Sequence, residues 1–324
     1  MLEPRRSTRA LISIWATLAA LILGFRFLVP SGWQPYLYVP IIFLIAGRFG
    51  ALLQLIHEGA HGLLSHSKKM NFFISRWLCA YPIGVFFDGY QRGHLRHHAG
   101  TNTKIDPPAD TEKYRITDFR SPKLYLLLLK DVLGLTAFEI FFAYKQTEES
   151  ATNVTANESA KDSKVGTLFC LMVCNLVVLG VLFQFQIVPY VLLWLIPAVS
   201  PHMFLMRIRG IAEHGLSKQL GVEVTEGWQG NFYTRSFFTK RCHYSFPPMV
   251  WLERILIGSL SVNHHHEHHL MPTVPFYHLS KVHDRIAPEL SRLNPDVYAA
   301  GYFAAAVRNL LEPVPAAGLE GAHV

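Results

Sequence analysis

Four apolar runs, arranged as two close pairs, set the limits on this chain's architecture. Ala10 to Val29 carries one charge, Arg26, and Tyr36 to Ile56 carries one, Arg48. The runs 165–183 and 188–206 carry no Asp, Glu, Lys or Arg. At about 1.5 Å of rise per residue, about twenty helical residues cross a hydrocarbon core of about 30 Å. The link within each pair is short and uncharged, so each pair reads as a membrane hairpin that returns the chain to its starting side. A cleaved signal peptide is the rival reading of the first run, but that run is long and no clear small-residue cleavage site precedes Arg26. A retained span, with Arg26 reaching to the interface, is the expectation. Arg48 should face protein or water rather than lipid.

Composition agrees with a membrane. Half of the 324 residues are hydrophobic and 16% are charged, against about 25% charged in a soluble domain. The net charge of +7 suits a face lying on anionic head groups. No basic groove motif accompanies it, so no nucleic-acid partner is expected. Neither outer link holds Lys or Arg, whereas Arg5, Arg6 and Arg9 precede the first run and Arg207 and Arg209 follow the fourth. The positive-inside rule then places both termini and every large loop in the cytoplasm. Trp77 to Phe87 is apolar but too short to span and reads as re-entrant or interfacial. Leu124 to Tyr144 and Met249 to Val262 read as amphipathic segments, and Asp296 to Leu311 as a peripheral helix. Gln146 to Lys164 reads as a polar flexible linker. The glycosylation patterns at Asn153 and Asn157 inside it are chance matches on this topology. Cys79, Cys170, Cys174 and Cys242 form neither a zinc-type CxxC nor a disulfide framework. Cys170 and Cys174 read as core residues of an apolar helix.

The chemistry lies in the histidines. Asn263 to Leu270 holds five of them, and His265, His268 and His269, at i, i+3 and i+4, share one helix face. His94, His97 and His98 repeat that spacing. His57 and His61 are one turn apart where the second run ends, and His214 follows the fourth in Arg209-Gly-Ile-Ala-Glu-His. Neutral imidazole is the commonest side-chain metal ligand, and zinc usually takes four ligands. Eight or nine imidazoles therefore point to two ions. A solvated run or a purification tag fits poorly, because Glu267 interrupts the last cluster and apolar sequence flanks it. His57-Glu58-x-x-His61 also matches the HExxH of zinc hydrolases, with Glu58 as general base, but that account leaves six clustered histidines without a purpose. Its Glu-x-x-His half is similar to carboxylate-bridged di-iron bundles, which want a second copy beside it; the other Glu-x-x-His of the chain, Glu320 to His323, falls in the tail. Glu58 and Glu267 fit better as acceptors that orient ligand imidazoles.

Boxes of the form HxxxH, HxxHH and HxxHH on two membrane hairpins resemble the membrane fatty acid desaturase superfamily. The second box continues as His97-His98-Ala-Gly-Thr101-Asn102 and then Asp106-Pro107, similar to that family's extended box. The last box, with Asn263, Glu267 and Leu270, followed by Pro272 and Pro275, resembles its C-terminal motif. The resemblance covers roughly residues 37 to 285. It implies an all-α integral membrane fold, four transmembrane helices as two hairpins with a cytoplasmic helical cap holding a di-metal site. The expected domain is 1–312, followed by a disordered tail over 313–324. It also implies His57, His61, His94, His97, His98, His265, His268 and His269 as ligands of a non-haem di-iron pair, with His214 as an additional ligand. Glu58, Asp106, Asn263 and Glu267 are placed around them. His264 and His266 fall off the ligand face.

The implied reaction uses O2 to remove two hydrogens from adjacent carbons, leaving a C=C bond in a lipid acyl chain or similar aliphatic substrate. The electrons should come from an external ferredoxin or a cytochrome b5-type donor, since neither a haem-binding His-Pro-Gly-Gly nor a ferredoxin-like cysteine set is seen. A hydroxylase or ketolase on the same scaffold and a desaturase of a small amphiphilic metabolite are the alternatives. An intramembrane zinc protease is the remote one. A bacterial inner membrane is expected, with the endoplasmic reticulum as the alternative.

Overall fold

The computed structural model describes residues 2–103, 105–106, 121–139, 159–184, 188–220, 222–238 and 247–311. The expected glycosylation patterns, most of the polar linker, Cys242 and the tail lie outside these residues. What is described is mostly helical.

Helix α1 (Pro4–Phe27) opens on a proline, whose fixed φ suits a first helical position and whose missing N–H is no loss there. Helix α2 (Gln34–Ala60) follows after a short turn and accommodates Pro40. Both are long and apolar enough to cross a membrane by length and composition. Along α1, Leu11, Ile14, Leu18 and Ile22 are buried while Ile12, Leu23 and Phe27 are exposed. An outward apolar row of that kind suits lipid better than water.

Small residues on α2 let other backbone come close. A Cβ added to Gly47 would stand 2.7 Å from the Ile255 carbonyl oxygen and 3.0 Å from Leu256 Cα. The segment against it also explains Arg48, whose Nη2 donates to the Ile255 carbonyl at 2.7 Å and to Ser259 Oγ at 2.9 Å. The charge within the second apolar run thus faces protein, as expected. Gly47→Val is expected to lower the stability of detergent-solubilised protein by about 1–3 kcal/mol through overpacking. Gly24, with nothing within 4 Å of an added Cβ, should tolerate alanine; thermal unfolding of both variants checks this.

Helix α3 (Lys68–Phe73) runs into a π-helical turn, Ile74–Ala80, and a 3-10 turn, Tyr81–Ile83. This is the segment expected to be re-entrant. Such backbone leaves carbonyls open to further donors, the Tyr81 carbonyl accepting the Gly84 N–H at 3.1 Å besides, and in a membrane such groups must be met by protein. Three side chains meet them. Trp15 Nε1 donates to the Leu78 carbonyl at 3.0 Å, Asn175 Nδ2 to Tyr81 at 2.7 Å and Trp194 Nε1 to Pro82 at 3.0 Å. Helix α4 (Phe87–Gly100) carries the second histidine box.

The expected segment 124–144 is broken. Helix α5 (Pro122–Val132) ends before Gly134, whose φ of +75° is cheap only for glycine, and helix resumes over 135–139. Residues 140–144 lie outside the described set. Helix α6 (Ser159–Gln184) begins inside the stretch read as linker, so its last residues are helical rather than flexible. The fourth apolar run is divided at Ser200 into α7 (Val188–Val199) and α8 (Pro201–His214). Proline disfavours helical backbone at the residue before it, which sets the break. At 12 residues, α7 rises only about 18 Å.

The chain divides into two compact units, each discontinuous in sequence. The first comprises Met1–His94, Leu127–Met206 and Ile255–Leu260 and contains the long apolar helices. The second comprises Leu95–Leu126, Arg207–Arg254 and Ser261–Val324. In the second, β1 (Ser236–Phe237) precedes α9 (Pro247–Leu256), α10 (His265–Leu270) and α11 (Leu279–Leu293). β2 (Tyr298–Ala299) then pairs parallel with β1, Ser236 opposite Tyr298, a small exception to the all-helical expectation. The peripheral helix expected from Asp296 begins only at Tyr302, as α12 (Tyr302–Leu311). Its first N–H groups, on Tyr302 and Phe303, donate to the Glu253 carboxylate at 2.8 and 3.1 Å, which fixes the start there.

Candidate metal centres

In the first unit, the ligand candidates sit where α2 ends. A helix C-terminus leaves carbonyls to be satisfied, and here neutral amides do it. Asn71 Nδ2 donates to Gly59 at 2.8 Å and Gln91 Nε2 to Ala60 at 2.9 Å. Gln91 lies on α4 one turn before His94, so the same contact sets His94 against α2. His61 Nε2 and His94 Nε2 then stand 2.9 Å apart, with the His57 ring centroid 4.4 Å from that of His94. Tyr90 stacks on His94 at 5.5 Å. Burial pushes the His61 imidazole down to about 4. Glu58 is fully buried, its Oε1 3.7 Å from His57 Nδ1.

In the second unit, His97, His214 and His269 are buried with ligand atoms within 4.8 Å of one another, and Glu213, His214 and His265 form an overlapping group. His265 Nε2 and His214 Nε2 are 2.9 Å apart, and His268 Nε2 and His98 Nε2 3.0 Å. Two nitrogens bound at right angles, each about 2.1 Å from one ion, stand about 3.0 Å apart, so these pairs have the spacing of ligands sharing a metal. Burial holds the imidazoles of His214, His265 and His269 well below the ordinary histidine value, and the charge of neighbouring histidines adds to it. Neutral imidazole is the form that ligates. Burial likewise pushes the Glu213 carboxyl up to about 7, although Arg209 Nε donates to it at 2.8 Å.

The residues expected around the ligands divide. Asp106 Oδ1 accepts from His97 Nδ1 at 2.8 Å, the contact that turns an imidazole's other nitrogen toward a metal. Its Oδ2 accepts the Asn102 N–H at 2.8 Å, where a positive φ of 62° at Asn102 turns the chain out of α4. Glu267 meets an imidazole outside the boxes. It accepts from His283 Nδ1 at 2.6 Å, Tyr298 OH at 3.0 Å and Ser236 Oγ at 2.5 Å. Asn263 Nδ2 donates to the Phe237 carbonyl at 3.0 Å. His264, Glu267 and His283 come close enough to hold an ion, but the three donors on Glu267 account for that cluster by hydrogen bonding. His266, off the ligand face, bonds Thr234 Oγ1 through Nδ1 at 3.0 Å.

Sequence reasoning missed His283, Thr234, Ser236, Tyr298 and Asn231. One signal was present. In Thr234-Arg235-Ser236 the side chains alternate as on a strand. Thr234 and Ser236 meet His266 and Glu267, while the buried Arg235 turns to the Asp296 carbonyl and Asn309.

The donor set fits a metal on one further observation. His269 Nδ1 is engaged by Asn231 Oδ1 at 2.8 Å, and its Nε2 is buried with no hydrogen-bond partner among the described residues. A buried lone pair left so is costly unless a cation takes it.

Comparison with known proteins places these boxes in a wider setting. Residues 31–299 match the protein family described as Fatty acid desaturase. The chain is 26% identical over 262 residues to dihydrorhizobitoxine desaturase of Bradyrhizobium elkanii, covering 76% of this chain and 66% of that one. It is 22% identical over 287 residues to a probable fatty acid desaturase, DES1, of Sorghum bicolor, covering 85% of this chain and 69% of that one. The chain thus spans about two thirds of the length of these relatives.

Proposed function

This chain belongs to the fatty acid desaturase family, a family of oxidoreductases, and from that premise we propose that it is a membrane-embedded, O2-dependent di-iron desaturase. The observation that carries the metal reading is the buried Nε2 of His269, without a hydrogen-bond partner among the described residues, beside His97 and His214. The nine histidines of the boxes and of α8 would hold the two irons. When bound, that pair supplies the oxygen activation and C–H cleavage that no side chain can perform. The chain's own work is positional. Asp106 holds His97, Asn71 and Gln91 anchor the end of α2, and burial keeps the imidazoles neutral. Residues 1–312 act as one functional domain whose four apolar runs lie in the membrane, with both termini and the boxes cytoplasmic. An external ferredoxin or a cytochrome b5-type protein delivers the electrons.

The substrate is an aliphatic chain. A lipid acyl chain is the first reading, in keeping with the family's name. One relative is named instead for dihydrorhizobitoxine, which supports a small amphiphilic metabolite as the second. The family match spans all three boxes, and this favours the oxidative reading over a hydrolase built on His57, Glu58 and His61 alone.

Purified protein is expected to carry about two irons per chain, measured by metal analysis in detergent. One zinc and no iron would refute the proposal. With oxygen-18 gas, a desaturase puts the label in water only, whereas label in the product would indicate a hydroxylase or ketolase.

A further inference from the structure

We propose that Asn231 is a positioning residue for the metal centre, fixing His269 in the tautomer that bares Nε2 and tying the end of the second histidine box to the third. This rests on the reading of His269 as a ligand. Asn231 belongs to no box and lies on the 3-10 turn Asn231–Tyr233. Its Nδ2 donates to the His98 carbonyl at 3.1 Å. A carbonyl can only accept, so the amide's orientation is settled: nitrogen toward His98, oxygen toward His269. Oδ1 stands 2.8 Å from His269 Nδ1. An amide oxygen can only accept in turn, so Nδ1 carries the hydrogen and Nε2 keeps the lone pair. That Nε2 is the buried atom with no partner among the described residues.

The surroundings are built for this approach. A Cβ added to Gly230 would fall 1.7 Å from the Thr101 carbonyl oxygen, so only glycine lets the chain pass so near the end of α4. Thr101 Oγ1 lies 2.8 Å from Asn231 Oδ1, 2.7 Å from the His97 carbonyl and 3.4 Å from His269 Nδ1, and its single hydrogen goes to one of the two nearer oxygens. One amide therefore bonds residues of both boxes, His98 on α4 and His269 on α10.

The test uses the full chain in detergent, with iron(II) affinity measured by chelator competition and the unfolding midpoint measured beside it. Asn231→Leu removes the acceptor and is expected to weaken iron binding by about 10–100-fold. Asn231→Asp keeps an oxygen toward His269 and should recover most of that loss. Wild-type affinity in the Leu variant overturns the proposal, as do losses in Asp and Leu that merely track their unfolding midpoints. Should the Leu variant not accumulate, the cobalt(II) absorption of the Asp variant decides. A carboxylate facing Nδ1–H makes the ligand more basic and shifts the bands, whereas unshifted bands overturn the role. A wild-type chain that takes up no metal overturns the ligand reading itself, and is recognised because the unmutated protein fails.

Discussion

A His97→Ala chain is expected to lose product formation by more than about 100-fold, beyond the 10–100-fold typical of residues that only support a ligand. His97 is at once a ligand candidate beside His214 and His269 and the partner of Asp106. Its loss would remove a candidate donor and leave the buried Asp106 carboxylate without its imidazole. Asp106→Ala, which keeps the ligand but frees its ring, should fall within the 10–100-fold range. His66→Ala, an exposed histidine outside the boxes, should change nothing. Product analysis in an expressing host, with iron per chain on the purified variants, gives the ranking. Full activity in His97→Ala would point back to a zinc site at His57 and His61.

Glu267→Ala should destabilise the second unit by about 3–5 kcal/mol, because it strands three donors, of which Ser236 and His283 are buried and Tyr298 half-buried. Burial alone would raise this carboxyl, but the hydrogen bonds from His283 and Ser236 win and hold it down to about 2. A depressed carboxyl stabilises the fold fully above its ordinary value of 4.5 and loses that contribution as pH falls toward about 2. The shift corresponds to roughly 3 kcal/mol. Unfolding in detergent across that acidic window should show a steeper loss in wild type than in Glu267→Ala. Parallel curves would mean the carboxylate is not held by this network.

The histidine boxes were legible because their spacing is a helix property. His94, His97 and His98 lie on α4, and His265, His268 and His269 on α10. The hydropathy of the first two runs was legible for the same reason, since apolarity and length are local. What escaped is what depends on partners far along the chain. Asn231 meets His269 across 38 residues, and His283 meets Glu267 across 16. Neither shows a local pattern. The π and 3-10 turns after α3 have carbonyls that accept from Trp15, Asn175 and Trp194, all far along the chain from them. The break at Ser200 was in view as Pro201, but the surrounding apolarity outweighed it in a reading by composition.

His57, His97, His98 and His214 all occupy the last turns of their helices. There the peptide dipoles sum to about half a negative charge. The groups that close two of those ends, Asn71 and Gln91 at the end of α2 and Thr101 and Asn231 at the end of α4, are uncharged. They satisfy the carbonyls without cancelling the field. A shell of neutral imidazoles would bring no counter-charge to a dipositive ion, and the backbone would supply part of it instead. Unlike a carboxylate, a peptide dipole has no proton to gain. That share of the attraction for a cation therefore persists unchanged as pH falls, and it cannot be removed by exchanging any single side chain.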